Sequence, residues 1–242
     1  MSFSNKLVEI YFDLVYNPIY DLTTAQSSAY RSLQKRCIDK LGFENGDSML
    51  CVGVGTGNEI PYILDRLDGN REFEIVGMDT SEKALKRAYQ KGLKRGKEIR
   101  VSKMDAQNLQ YPAESFDKVL CLHVMDFIED DGKATREIFR VLREGGEFVI
   151  TYPSDKEGVK LGINLLKDSI GHNINSGKSI RALPPLLARM GLGIFYLPLL
   201  FRSKQKAYSR QDLGAMFTEL KPKDFQIEEY PVYNDFIVYG RK

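Results

Sequence analysis

Cysteine and histidine are both scarce in this chain. Its three cysteines, Cys37, Cys51 and Cys121, stand far apart, and two of them lie inside apolar runs. An odd count argues against a disulfide framework, and no metal-ligand spacing is visible. A reduced, cytoplasmic setting without a bound metal is therefore expected. With only two histidines, His123 and His172, a histidine that handles a proton must be one of these. A surplus of charge is missing as well: 35 Lys and Arg face 33 Asp and Glu, a net +2. That balance argues against wholesale nucleic-acid binding, and no nucleic-acid partner is expected. The opening "MSFSNKLVEI" lacks the basic region and apolar stretch of a secretion signal.

What is present is ordinary for a globular protein: 242 residues, 43% hydrophobic and 28% charged. The length suits one large α/β domain better than two independent ones. Strand-like and helix-like stretches alternate through its middle. "SMLCVGV" (48–54), "FEIVGMD" (73–79), "IRVSKMD" (99–105), "FDKVLCLHV" (116–124) and "EFVITY" (147–152) read as strands. Between them "NEIPYILDRL" (58–67), "SEKALKRAYQKGLKRG" (81–96) and "GKATREIFRVLREGG" (132–146) read as helices, with Ser81 a cap and Gly96 a stop. Such alternation implies a doubly wound, mostly parallel sheet covered on both faces. A helix over 209–220 and a strand pair over 225–233 and 235–242 close the chain.

Three glycines, Gly53, Gly55 and Gly57, follow the first strand directly. Glycines there let the backbone turn sharply and approach a ligand beyond the strand ends. A dinucleotide fingerprint would need a glycine at position 58, which is Asn58. The Gly-Lys-Ser/Thr end of a phosphate loop is also lacking, which disfavours ATP or GTP binding of that kind. Asp79 ends the second strand, where a carboxylate can accept hydrogen bonds from a ribose diol. Asp105 and Ala106 end the third, where an acceptor and a backbone N–H can meet an adenine edge.

Taken together, "CVGVGTG", "GMDTSEKAL", "KMDAQNLQYPAESFDKVLCLHVMDFIEDD" and "REIFRVLREGGEFVITYP" resemble the motifs of the class I S-adenosylmethionine-dependent methyltransferases. The resemblance covers about residues 45 to 153. It implies a seven-stranded Rossmann-like methyltransferase fold with N-terminal helices and S-adenosyl-L-methionine as cofactor. It also implies that Gly53, Val54, Gly55 and Gly57 line the methionine part and that Asp79 and Thr80 meet the ribose. Asp105 and Ala106 then meet the adenine, and Leu122 and His123 lie under the cofactor. One position departs from the pattern: Cys51 stands where the family usually carries an acid that helps orient the cofactor's amino group.

Specificity in such folds resides in added segments. The first, residues 1–44, contains "YFDLVYNPIYD" and is similar to the entry segment of quinone-ring and phospholipid methyltransferases, with Tyr20 and Asp21 matching their Tyr-Asp pair. The second is a helical lid over 154–208. Between Asp155 and Arg210 it carries ten basic and three acidic side chains, a local +7, and the apolar run "ALPPLLARMGLGIFYLPLLF" (182–201). Prolines and glycines within that run argue against one spanning helix and for short apolar helices at a membrane surface. The leading expectation is methyl transfer to a hydrophobic small molecule or lipid, either a prenylated quinone precursor or a phospholipid-like acceptor. His123 is the candidate base, with His172 second. Two alternatives stand beside it: a soluble metabolite acceptor, with the apolar run as a homodimer interface, or cofactor binding without methylation.

Overall fold

Burial on both faces of the central strands decides the architecture. The computed structural model describes residues 21, 28–67, 72–154, 207–232 and 234–242. Strand β1 (Ser48–Val52) is buried at every position. Leu50 and Val52 point into one core, Met49 and Cys51 into another on the opposite face. A strand covered on both sides reads as a continuous apolar run, as "SMLCV" does.

The remaining elements are helix α1 (Ser28–Ile38), α2 (Ile60–Arg66), β2 (Glu74–Asp79), α3 (Glu82–Leu93), β3 (Arg100–Lys103) and β4 (Phe116–Cys121). They are followed by a 3-10 turn (Met125–Phe127), α4 (Asp131–Val141), β5 (Leu142–Pro153), α5 (Arg210–Leu220), β6 (Asp224–Tyr230) and β7 (Asp235–Arg241). The seven strands form one sheet in the order β3-β2-β1-β4-β5-β7-β6. Strands β1 to β5 run parallel, and β7 inserts antiparallel between β5 and β6. Helices α1, α2 and α3 cover one face; α4 and α5 cover the other, through Ile138, Phe139, Leu213 and Phe217. Strand order reverses between β1 and β4, so a crevice opens at their carboxyl ends.

Two expectations need correction. The helix expected over 132–146 stops at Val141, and residues 142–146 already belong to β5. Leu142 is extended, and Gly145, at φ 74°, lets four β5 residues (143–146) bulge past the single β4 residue Asp117 before pairing resumes at Lys118 and Glu147. The strands expected to run to Asp105 and Val124 end earlier, at Lys103 and Cys121. Ser81 does cap α3, accepting a hydrogen bond from the Ala84 N–H at 3.1 Å, but the helix ends at Leu93, ahead of Gly96.

Candidate functional site

The loop after β1 turns away from the sheet on three residues of positive φ: Gly53 at 63°, Gly55 at 51° and Gly57 at 72°. They answer different neighbours. A Cβ on Gly53 would lie 2.3 Å from Val124, and one on Gly57 would lie 2.8 Å from the Ala88 backbone in α3. At Gly55 the nearest atom to such a Cβ is the Gly53 carbonyl, 3.9 Å away. Two of the glycines thus serve close packing, and Gly55 faces open space. Val54 is buried and donates its N–H to the Met78 carbonyl at 2.9 Å.

Asp79 locks this loop to β2. One carboxylate oxygen accepts the Gly55 N–H at 2.9 Å, and the other accepts the Ser81 N–H at 2.9 Å. Thr80 beside it is exposed. Asp105 lies just past β3, where its carboxylate accepts the Gln107 N–H at 2.9 Å, and Ala106 is buried. Asp79, Asp105 and the glycine loop therefore stand at successive strand ends along one edge of the sheet.

Past β4, Leu122 is half-buried and His123 adopts a left-handed backbone, φ 55°, held by its N–H donating to Thr151 Oγ1 at 2.9 Å. Its Nε2 lies 3.3 Å from Asp235 Oδ2, and its ring lies 5.2 Å from that of Tyr30 in α1. Burial holds the imidazole down at about 4, so it is neutral near pH 7. Burial, with the Asp126 charge behind it, pushes Asp235 well above the carboxylate range, and burial lifts Asp126 to about 6. An imidazole held so low is a weak base, so a proton taken up at this edge is passed on readily.

Asp21 belongs to the same edge. It accepts from Thr56 Oγ1 at 2.5 Å and Asn58 Nδ2 at 3.2 Å, and pairs with Lys91 at 3.2 Å and Arg87 at 3.5 Å. Its neighbour Tyr20, and His172, lie outside the described residues, as does the run 182–201. Among the described residues no helix is long and apolar enough to cross a membrane. Pro153 and Tyr208, on either side of residues 155–206, meet at this same edge, Tyr208 donating its N–H to the Pro153 carbonyl at 2.9 Å.

Sequence reasoning missed Glu59, Asp126 and Asp235. Glu59 follows the glycine loop, reads as a solvated residue entering a helix, and is in fact 8% exposed. Asp235 reads as the polar start of a strand, and nothing in the chain order signals that β7 delivers it to His123.

The chemistry of this edge can be set beside known proteins. Residues 50–150 match the family described as "Methyltransferase domain". That match covers less than half of the chain. A phosphatidylethanolamine N-methyltransferase of Cereibacter sphaeroides is 37% identical over 109 residues, which are 43% of this chain and 50% of that protein. A demethylmenaquinone methyltransferase of Thermus thermophilus is 31% identical over 144 residues, 58% of this chain and 64% of that one. The chain thus spans between half and two thirds of these relatives' lengths. In fold, a Thermotoga maritima S-adenosylmethionine-dependent methyltransferase aligns over 96% of both chains with a TM-score of 0.58 at 17% identity.

Proposed function

We propose that this protein transfers the methyl group of S-adenosylmethionine to a hydrophobic small molecule or lipid, with a prenylated quinone precursor and a phospholipid amine as the specific candidates. One observation carries the reading. The glycine loop, Asp79 and Asp105 share a sheet edge with His123, and Pro153 and Tyr208, the residues that bracket the apolar, basic stretch 155–206, meet at that edge. The names of the two curated relatives point the same way.

The residues present fit the cofactor. Where a side chain would stand at Gly55 there is open space, which leaves room for the methionine part beside Gly53, Val54 and Gly57. Asp79, with Thr80 next to it, stands at the end of β2, where a carboxylate can meet a ribose diol, and Asp105 with the Ala106 backbone suits an adenine edge. Leu122 offers an apolar floor. Bound there, the cofactor supplies an electrophilic methyl carbon for in-line displacement. The protein's part is to align the acceptor, exclude water and, where the acceptor must lose a proton, take it up at His123. Residues 154–208 act in this reading as a lid over the core at 45–153, with 1–44 as the N-terminal cap and 209–242 as the closing segment.

Incubation with methyl-labelled cofactor and a bacterial lipid extract tests it. Label is expected in the organic phase. Label confined to water-soluble products would favour a soluble acceptor, with 182–201 as a subunit interface. Tight binding without any transfer would favour a non-methylating role. Asp79→Ala should weaken cofactor binding by about 1–3 kcal/mol through lost charged hydrogen bonds. Unchanged calorimetric affinity would reject the ribose assignment.

A further inference from the structure

Glu59 has a position that its role in the fold does not explain. It is 8% exposed and precedes α2, yet its side chain caps nothing there. Among the described residues, its carboxyl finds a hydrogen bond only with its own backbone. A buried carboxylate so placed is costly unless a cation answers it. The charged groups that face it are Lys91 of α3 and Asp79 at the end of β2, with the Cys51 thiol of β1 beside it. Lys91 is already committed, its Nζ donating to Asn58 Oδ1 at 2.6 Å and pairing with Asp21 at 3.2 Å. Asp21 is in turn engaged by Arg87, Thr56 and Asn58.

These contacts place Glu59 at the junction of the glycine loop, β1 and the Asp79 end of β2. Thr56 and Asn58 engage Asp21 and Lys91 with their side chains, which leaves Glu59 as the acid not engaged there. Cys51 cannot supply a negative charge, because burial holds its thiol protonated. The methionine part of the cofactor carries an α-ammonium, and with the ribose at Asp79 it must run along this loop. We propose that Glu59 receives the α-ammonium of S-adenosylmethionine as a charge-assisted hydrogen-bond acceptor. The proposal rests on the reading of the 53–57 loop as the cofactor site.

A pH signature follows. Burial, helped by Asp79 and opposed by Lys91, lifts the Glu59 carboxyl to about 7. Only its ionised form pairs with an ammonium, so affinity falls as pH drops below about 7, by about tenfold per unit at the limit. Above about 8 the ligand's own amino group loses its proton, so the pH series runs from about 8 downward through 7.

Calorimetry with two ligands decides it: S-adenosylhomocysteine, which keeps the ammonium, and 5′-methylthioadenosine, which lacks the whole amino-acid part. For Glu59→Gln at about pH 7.5, affinity for the first should fall roughly 10- to 100-fold, affinity for the second should be unchanged, and the pH dependence should vanish. Glu59→Asp should fall between. Equal losses for both ligands, or no loss for either, would overturn the proposal while leaving the cofactor site standing. A wild-type protein that binds neither ligand sinks the cofactor reading and this proposal with it. If Glu59→Gln fails to fold, the two-ligand comparison is made on Glu59→Asp, where a selective loss of S-adenosylhomocysteine supports the proposal and an equal loss defeats it.

Discussion

Buried acids at the sheet edge set a cost that ligand binding can offset. Glu59 is held at about 7 in the folded chain, against 4.5 as its ordinary value. A carboxyl whose folded value is raised binds its proton more tightly in the folded state. Its effect on stability is therefore absent below pH 4.5, grows as pH rises through the interval, and is a full penalty above about 7. Two and a half units correspond to about 3 kcal/mol at most. Glu59→Gln should accordingly make the unliganded protein more stable at pH 8 by up to that amount and leave it nearly unchanged at pH 4.5. Urea midpoints at the two pH values check this, and equal midpoint shifts at both would show that packing, not charge, governs the site. A substitution that stabilises while weakening binding is the pattern expected of a residue retained for function.

At the level of elements, the loop between β1 and α2 is shaped as much by α3 as by any ligand. Gly57 combines φ 72° with a missing Cβ 2.8 Å from the Ala88 backbone, whereas Gly96 has a similar φ of 75° with nothing within 4 Å. The pair separates two costs. Gly96→Ala pays only for the left-handed backbone, about 1 kcal/mol. Gly57→Ala must also push α3 outward, for a total of about 2–4 kcal/mol. Equilibrium unfolding of both variants should show this order, and equal costs would mean that α3 yields freely. Because Lys91 and Arg87 of α3 hold Asp21, the displacement should also loosen the N-terminal segment.

For the whole molecule, charge is distributed unevenly. The chain carries +2 overall, yet residues 155–210 carry a local +7. If the run 182–201 meets a membrane, the flanking Arg181, Arg202, Lys204 and Lys206 should face anionic head groups, each contributing about 1 kcal/mol in a salt-sensitive way. Flotation with anionic vesicles should then fall with added salt and with combined Arg202→Gln, Lys204→Gln and Lys206→Gln replacement, while cofactor affinity is retained. A wild type that stays out of the vesicle fraction at low salt removes the membrane role.

The sequence by itself determined the parallel core, because burial on both faces demands unbroken apolar strands such as "SMLCV" and amphipathic helices between them. It also located the loop and the two acids, Asp79 and Asp105, since strand ends in such a sheet meet at one edge by chain order alone. The bulge at 142–146 was hidden, because "REGG" after an amphipathic helix continues its pattern until pairing with β4 overrides it. Only the tertiary structure decided that Glu59 is buried, that Asp235 reaches His123 by antiparallel insertion of β7, and that two of the three glycines answer to Val124 and Ala88. Each of these depends on contacts between residues distant in sequence, where local composition and periodicity carry no information.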